Sequence, residues 1–263
     1  MCLILVGVDA RPGSRVMLLA NRDEQHARAS AAAAPWDEDV RVLGGRDLVA
    51  GGSWLAVRGD GRFAAVTNLR DLHNGPPASA PRSRGELVRD FVCGEQSAER
   101  WLDALLTRID LYAPFNLILG DAEGVRVLDG STGEHHRLAP GLHAISNGPI
   151  HEDWPKMQRI RALANDALGQ GADPSTLLVL LGDEQQAQDD RLPNTGLERE
   201  RERLLSSIFI RGTGYGTRAS TWLDIGKDGS IDLHEASFGP DGVRGGVVRW
   251  RHVPDAGWSA TGG

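Results

Sequence analysis

Two short, unbroken apolar runs near the start of the chain constrain its fold more than any other feature. Residues 3–8 and 16–20 are almost wholly apolar. This pattern is typical of strands that are covered on both faces, rather than of one-sided amphipathic strands. Pro12 and Gly13 lie between the runs and favour a tight turn, because proline presets φ and glycine adopts a positive φ freely. We therefore expect an antiparallel hairpin inside a layered fold.

The rest of the chain carries signals for more strands and for four helices. Glycine-rich turns between short apolar runs predict an antiparallel meander up to residue 67. Ser83 with Glu86 forms a capping box, Ser97 caps a second helix, and Pro155 opens a third. A fourth helix is predicted from residues 173–174, and a polar surface loop at 183–203. Later strands are predicted at residues 116–120, 125–129, 142–147, 208–210, 219–225 and 231–235. Together these elements predict a single domain over residues 1–257, with two sheets flanked by helices, and a disordered tail at 258–263.

Composition excludes several classes of function. The chain has 263 residues and a formal net charge of −7, so it can bury a sizeable core but does not suit binding to nucleic acid or to an anionic membrane surface. No apolar run is long enough for integral membrane contact, and the first residues lack the features of a secretory signal. Two cysteines do not make a disulfide framework. We expect a cytoplasmic protein with reduced thiols.

The hairpin brings the second residue of the chain to a polar cluster. In an antiparallel hairpin about Pro12 and Gly13, paired positions sum to about 25, so that residue 2 lies opposite one of residues 21–25. Cys2 is therefore predicted beside Arg22 and Asp23. Strict alternation along a strand would put Arg22 and Asp23 on opposite faces. Both side chains reach Cys2 only if the strand ends or bulges there.

The position of Cys2 makes it a candidate nucleophile. A small second residue permits removal of Met1, after which Cys2 would carry both a thiol and a free α-amine. That amine titrates near ~8 and can act as a base, while an adjacent Arg22 would favour the nucleophilic thiolate. Asp23 would accept a hydrogen bond from the α-ammonium. The simpler interpretation is that Cys2 is a small buried residue that begins a strand.

Five spaced segments carry a resemblance to a known family. MCLILVGVD, LLANRDE, AAVTNLRD, HAISNGP and YGTRASTWL resemble the NRDE family, also called the transport and Golgi organisation protein 2 family, over essentially the whole chain. That family is similar to the N-terminal-nucleophile (Ntn) hydrolases, and most of all to the branch of penicillin V acylases and bile-salt hydrolases. The resemblance implies an α+β fold, a four-layer αββα sandwich of two mainly antiparallel sheets.

The resemblance also implies site residues. The catalytic candidates are Cys2, Arg22, Asp23, Asn68, Asn147 and Arg218, with the two asparagines forming an oxyanion hole and the late arginine holding the site. Arg22 and Asp23 are closer together than their counterparts in that branch. Asn21, Glu24 and Arg70 are candidates for substrate binding. Simpler interpretations remain for several of these: structural partners for Asn21 and Glu24, Asx turns for Asn68 and Asn147, and a carboxylate pair for Arg218.

Two functions are consistent with these residues. The first is an N-terminal cysteine amide hydrolase or acyl-transfer enzyme that acts on a small acylated substrate and requires no cofactor or metal. The second is a non-catalytic carrier of haem or acyl-CoA, in which Arg22, Arg70 and Arg218 form a basic rim. Haem would then be cargo, and the candidate iron ligands are His26, His73 and His143. Cys93 is expected to be buried and less reactive than Cys2. The sequence specifies no oligomeric state.

Overall fold

The fold consists of two antiparallel sheets and the helices that cover them. The structure, a computed structural model, describes residues 2–73 and 80–262. Within these ranges the strands are β1 (Cys2–Val8), β2 (Ser14–Gln25), β3 (Ser30–Trp36), β4 (Asp39–Asp47), β5 (Leu55–Arg58), β6 (Phe63–Asn68), β7 (Phe115–Asp121), β8 (Gly124–Asp129), β9 (His135–Arg137), β10 (Gly141–Ile145), β11 (Tyr215–Gly226), β12 (Ile231–Phe238), β13 (Arg244–Val253) and β14 (Gly257–Ala260). The α-helices are α1 (Arg84–Val92), α2 (Ala98–Leu106), α3 (Pro155–Gly169), α4 (Pro174–Leu180) and α5 (Arg199–Leu204).

Both sheets have seven strands, and every pairing of neighbouring strands is antiparallel. The first sheet has the order β10-β1-β2-β11-β12-β13-β14, and the second runs from β3 to β9 in sequence order. The fold is therefore an α+β sandwich, as the resemblance implied. Among the described residues, no helix combines the length and apolar character needed to cross a bilayer.

Three apolar layers hold the sandwich together, and strand alternation assigns residues to them. Even-numbered residues of β1 and β2, such as Ile4 and Leu18, pack between the two sheets. Odd-numbered residues, such as Leu3 and Leu19, pack against α3 and α4. On the other side of the molecule, α1 and α2 cover the second sheet. The strands β1 and β2 are thus buried on both faces, as their unbroken apolar runs predicted.

The predicted hairpin is confirmed, and its register is now fixed. Cys2 pairs with Arg22, Ile4 with Ala20, and Val8 with Val16, so paired positions sum to 24. The strand β2 does not end at Ala20 but continues to Gln25. Irregularity appears instead in the neighbouring strand β11, where the register shifts between Thr217 and Ala219.

The helix signals were accurate, and three other predictions were wrong. The capping box of Ser83 and Glu86 is present, and Pro155 opens α3. Residues 208–210, predicted as a strand, are not in one, and the predicted loop at 183–203 contains the short helix α5. The tail predicted to be disordered from residue 258 is ordered through Ala260, because β14 pairs with β13. The strand β13 was not predicted, because its glycines and arginines interrupt the alternation of apolar and polar residues that is typical of strands.

Candidate functional site

Cys2 lies at the open end of the hairpin and lines a cavity between the sheets. The side chain is 7 % exposed, and the cavity has a volume of about 280 Å³. Its walls are the ends of β1, β2 and β6, the connection between β4 and β5, and the segment that leads into α1. The charged residues of the lining are Arg22, Asp23, Glu24, Arg28, Asp47, Arg82 and Arg84. The site is therefore a polar pocket that contains one thiol.

Arg22 stands directly opposite Cys2 on the face between the sheets. Its guanidinium lies 3.9 Å from Asp47, which also pairs with Arg28 at 2.7 Å. Burial raises the pKa of the Cys2 thiol, while the charge of Arg22 and a hydrogen bond from the Asp23 backbone amide oppose that rise. The electrostatic effect predicted for Arg22 has the expected direction. The net pKa of the thiol nevertheless moves upward, because burial is the larger effect.

Asp23 projects from the other face of β2, toward the helices. Thr217 donates a hydrogen bond to the Asp23 carboxylate at 2.7 Å, and the Tyr215 hydroxyl donates to the Asp23 carbonyl at 3.1 Å. Burial raises the pKa of this carboxyl, and the charge of Lys156 is the largest influence that opposes the rise. Strand alternation thus separates the side chains of Arg22 and Asp23, and the Cys2 sulfur is contacted by the Asp23 backbone rather than by its carboxylate.

Lys156 is a site residue that the sequence analysis missed. It is the second residue of α3, it is 2 % exposed, and the next residue, Met157, packs in the apolar layer with Leu3. Burial lowers the pKa of Lys156 to about 8, against the attraction of Asp23. The only available signal was its placement near the apolar stripe of a helix that was already predicted. Buried lysines are rare, and each one needs a nearby opposite charge.

A buried ion pair between Arg70 and Glu202 lies on the same helix-facing side. Arg70 donates to Glu202 at 2.7 Å, and Thr195 donates to the same carboxylate through its backbone amide and its hydroxyl. The Arg70 guanidinium also lies 4.9 Å from the ring centre of Trp154, the N-cap of α3. Arg70 is not among the cavity-lining residues of the described chain, and its predicted role in substrate binding stays a prediction. We call Asp23, Lys156, Arg70 and Glu202 the helix-side cluster.

The two asparagines proposed for an oxyanion hole have different positions. Asn68 ends β6 and lines the cavity with Cys2. Asn147 is fully buried, and its amide donates to the Asn68 carbonyl at 2.8 Å. The neighbouring Ser146 hydroxyl donates to the Cys2 carbonyl at 3.0 Å. Asn147 therefore positions the Asn68 backbone, and Asn68 is the member of the pair that borders the cavity.

Asn21 and Glu24 also separate. The Asn21 amide donates to the carbonyls of Leu181 and Ile208 at 2.8 and 2.9 Å, and its oxygen accepts from Ser220 at 2.6 Å. These bonds tie β2 to the helix layer, which fits the structural role that the sequence analysis left open for Asn21, and substrate binding by this residue stays a prediction. Glu24 does line the cavity.

Arg218 stabilises the backbone beside the site rather than the cavity itself. It occupies the irregular position of β11, and its guanidinium donates to the carbonyls of Gln25, His26 and Arg28 at 2.9–3.2 Å. Of the described residues, those that line the cavity do not include Arg218. The arginine thus fixes the turn after β2, from which Arg28 extends into the pocket. Of the three arginines predicted to form a basic rim, Arg22, Arg70 and Arg218, only Arg22 is among the described residues that line the cavity.

The three histidines proposed as iron ligands, and Cys93, are not among the described residues that line this cavity. His73 and His143 contact the carbonyls of Asn194 and Ala139 at 3.1 and 2.7 Å. Neither they nor His26 belong to the described lining of the cavity. Cys93, expected to be buried, is the partly exposed C-cap of α1, and both thiols are free. Within residues 2–73 and 80–262, no group of acidic, histidine and cysteine side chains has a metal-binding arrangement.

Comparison with known proteins agrees with this architecture. The fold is similar to that of a mutant conjugated bile acid hydrolase from Clostridium perfringens, which matches with a TM-score of 0.52 at 8 % identity, over 99 % of this chain and 92 % of that one. The sequence places the chain more narrowly. It belongs to the Transport and Golgi organisation 2 family, which it matches over residues 1–240.

Relatives from mammals share most of their length with the chain. The Transport and Golgi organization protein 2 homolog of Bos taurus is 33 % identical over 93 % of this chain and 96 % of its own length. The human homolog is 32 % identical over 90 % of this chain and 93 % of its own length.

Proposed function

We propose that the protein is an N-terminal cysteine amide hydrolase or acyl-transfer enzyme that acts on a small acylated substrate in a reducing, cytoplasmic setting. The observation that carries this proposal is the position of Cys2. Its side chain faces a cavity at the open end of a rigid hairpin, directly opposite Arg22. A nucleophile on a buried strand is held in place by the sheet, whereas one on a loop needs additional support.

The proposed reaction begins with attack of the Cys2 sulfur on the substrate carbonyl. The thiol proton passes to the α-amine of Cys2, which becomes free when Met1 is removed. That removal concerns a residue outside the described ranges and stays a prediction. The amine then returns the proton to the leaving amine, which departs and leaves a thioester on Cys2. Water, or a second acceptor in the acyl-transfer version, resolves the thioester.

Developing negative charge on the carbonyl oxygen needs donors at the cavity wall. Asn68 borders the cavity, and the bond from Asn147 holds its backbone in position. We assign the Asn68 side chain to the oxyanion and a positioning role to Asn147. A single well-placed donor of this kind contributes about 10²–10³ in kcat in other acyl-transfer enzymes.

The helix-side cluster supports the chemistry from behind the strand. Asp23 and Lys156 are buried opposite charges, and each acts on the pKa of the other. We propose that Lys156 keeps Asp23 ionised, so that the carboxylate holds the Cys2 α-ammonium in its working orientation. Lys156 acts through Asp23 in this scheme and is a positioning residue.

A carrier of haem or acyl-CoA is the second candidate, and one observation favours it. Burial raises the pKa of the Cys2 thiol, which lowers the population of thiolate that an enzyme needs. The size of the cavity argues the other way. Its volume of about 280 Å³ is below the ~300–1,000 Å³ typical of pockets for drug-sized ligands. A small acyl group therefore suits the pocket better than a macrocycle does.

Turnover by matched cysteine variants tests the proposal. We would express the full chain natively, confirm loss of Met1 by intact mass, and screen penicillin V and acyl-glycine amides. Cys2→Ala should abolish turnover on any substrate found, whereas Cys93→Ser should preserve it. Turnover that survives Cys2→Ala, or a native chain that retains Met1, would falsify this mechanism.

Binding by the same variants separates the carrier from the enzyme. Haem and a long-chain acyl-CoA would be titrated into wild type and Cys2→Ala. Micromolar binding that Cys2→Ala leaves intact, together with no turnover on any amide or thioester, promotes the carrier and ends the enzyme proposal.

A further inference from the structure

The cations that line the Cys2 cavity differ in how fully the protein neutralises them. Arg22 and Arg28 both contact Asp47, at 3.9 and 2.7 Å. Arg82 pairs with Glu86 at 2.6 Å and with Asp90 at 3.1 Å. Three of the four arginines therefore have carboxylate partners within the fold.

Arg84 is the exception among the described residues. Its guanidinium donates to the carbonyl of Pro114 at 3.0 Å, and no carboxylate in the described chain lies within ion-pair distance of it. A neutral carbonyl satisfies one of its five donors, and the charge of Glu24, another residue of the cavity lining, attracts the guanidinium from beyond ion-pair distance. Because a guanidinium is planar and always charged, it suits bidentate binding of a carboxylate.

The backbone fixes Arg84 at the cavity wall. Arg84 is the first residue of α1, and the Ser53 amide donates to the Gly85 carbonyl at 3.2 Å. A Cβ added to Gly52 would lie 2.4 Å from the carbonyl carbon of Gly85, so glycine at position 52 is what permits this close approach. The charge of Arg84 also interacts with that of Cys2. Backbone contacts therefore hold the start of α1 against the cavity that Arg84 and Cys2 both line.

We propose that Arg84 binds a carboxylate of the ligand, so that the cavity selects small acylated molecules that carry a carboxylate near the scissile carbonyl. The description of this ligand as a substrate rests on the proposed function. Carboxylate binding beside Cys2 does not rest on that function, because it requires only the cavity and a guanidinium without an ion-pair partner in the described chain.

Alkylation of Cys2 by two reagents of equal reach tests the proposal without any turnover. Cys93→Ser leaves Cys2 as the only thiol of the chain. In this background, iodoacetate and iodoacetamide attack the same thiolate, and the ratio of their rates cancels any change in thiol pKa. Iodoacetate alone carries a carboxylate. The ratio for native protein should exceed that for the denatured chain.

The variants then assign the effect to one arginine. Arg84→Gln should lower the iodoacetate to iodoacetamide ratio about fivefold, as expected for loss of one charge-assisted contact. Arg84→Lys keeps the positive charge but lacks the planar pair of donors, so it should lower the ratio less than Arg84→Gln does. Arg82→Gln removes the same charge from the same cavity and should change the ratio less than about twofold, because Arg82 is already neutralised.

Each other outcome overturns the proposal. A ratio that Arg84→Gln leaves unchanged, or that Arg82→Gln lowers equally, shows general electrostatics rather than a carboxylate site. A native Cys2 that neither reagent labels shows a pocket closed to small anions. Absence of amide turnover, by contrast, would refute the proposed function and leave a lowered ratio in Arg84→Gln as support for the carboxylate site.

Discussion

Two polar groups lie back to back across the strand β2, and they have opposite characters. On the face between the sheets, Cys2 and Arg22 line a cavity. Its lining also includes Arg84, which has no ion-pair partner in the described chain. On the other face, Asp23 belongs to the helix-side cluster, in which Arg70 and Glu202 form a buried pair. One group faces a space that can hold a ligand, and the other is packed between protein elements.

The difference shows what a run of polar residues at the end of a buried strand can do. Because side chains alternate, Asn21 and Asp23 project toward the helices while Arg22 and Glu24 project toward the cavity. A continuous motif in sequence is thus two sites in space. The site on the helix side, with Asn21 and Asp23, ties the hairpin to the helices. The site on the cavity side, with Arg22 and Glu24, lines the cavity. Mutations on the two faces should therefore affect different measurements.

Breaking the buried pair of the helix-side cluster should have the largest effect. Glu202→Leu leaves the Arg70 guanidinium buried without its carboxylate, and we expect the free energy of unfolding to fall by about 3–5 kcal/mol. Denaturant titration measures this loss. Glu200→Leu, on an exposed position of the same helix, is the matched control and should change stability by less than about 0.5 kcal/mol. Equal losses would show that the pair has no special role.

Lys156 should produce a rise in stability with pH. The folded chain holds this lysine with a pKa of about 8 against an ordinary value of 10.5, so between these values the unfolded chain binds more protons. Stability then increases with pH across that window, by roughly 3 kcal/mol in total. Below pH 8 both states are protonated, and the burial cost of the charge is fully present.

Substitution of this lysine isolates its contribution. Lys156→Met should flatten the rise between pH 8 and pH 10.5. Lys227→Met removes the only other lysine of the chain, which forms an exposed ion pair with Asp9 at 2.8 Å, and should leave the rise in place. A rise that persists unchanged in Lys156→Met would assign it to other groups and remove Lys156 from the cluster.

The smallest expected effect belongs to the cavity face. In a Cys93→Ser background, Arg22→Gln should slow alkylation of Cys2 by iodoacetamide about two- to fivefold near neutral pH, because Arg22 lowers the pKa of that thiol. Arg28→Gln, which removes another partner of Asp47, is the control and should have less effect. If both variants slow labelling to the same degree, the pairing of Cys2 with Arg22 has no particular electrostatic consequence.

The hairpin and its consequences could be predicted because their signals are local. Apolar runs, a Pro-Gly turn and the antiparallel register together placed Cys2 opposite one of residues 21–25, and the structure pairs it with Arg22. The same reasoning recognised that strict alternation would put Arg22 and Asp23 on opposite faces of the strand. It expected an irregularity in β2 to reunite them, but the irregularity is in β11, at Arg218.

Long-range packing accounts for what the sequence did not reveal. Lys156 follows a helix-opening proline, where an exposed lysine would look the same. Arg84 follows a capping serine, and nothing local indicates that Gly52 brings the start of α1 against the cavity. Arg70 and Arg218 looked like a basic rim because both are cationic and near predicted strand ends. Their partners, Glu202 and the carbonyls after β2, come from distant parts of the chain.

The most direct test of the account is whether Cys2 forms an acyl intermediate. The protein would be mixed with a nitrophenyl ester of a small carboxylate-bearing acid, nitrophenol release would be followed before steady state, and the modified residue located by mass spectrometry. We predict a burst of about one nitrophenol per chain and a hydroxylamine-sensitive thioester on Cys2, both retained in Cys93→Ser and lost in Cys2→Ala. Release without a burst, or an acyl group found on Cys93 alone, would contradict the assignment of Cys2 as the nucleophile.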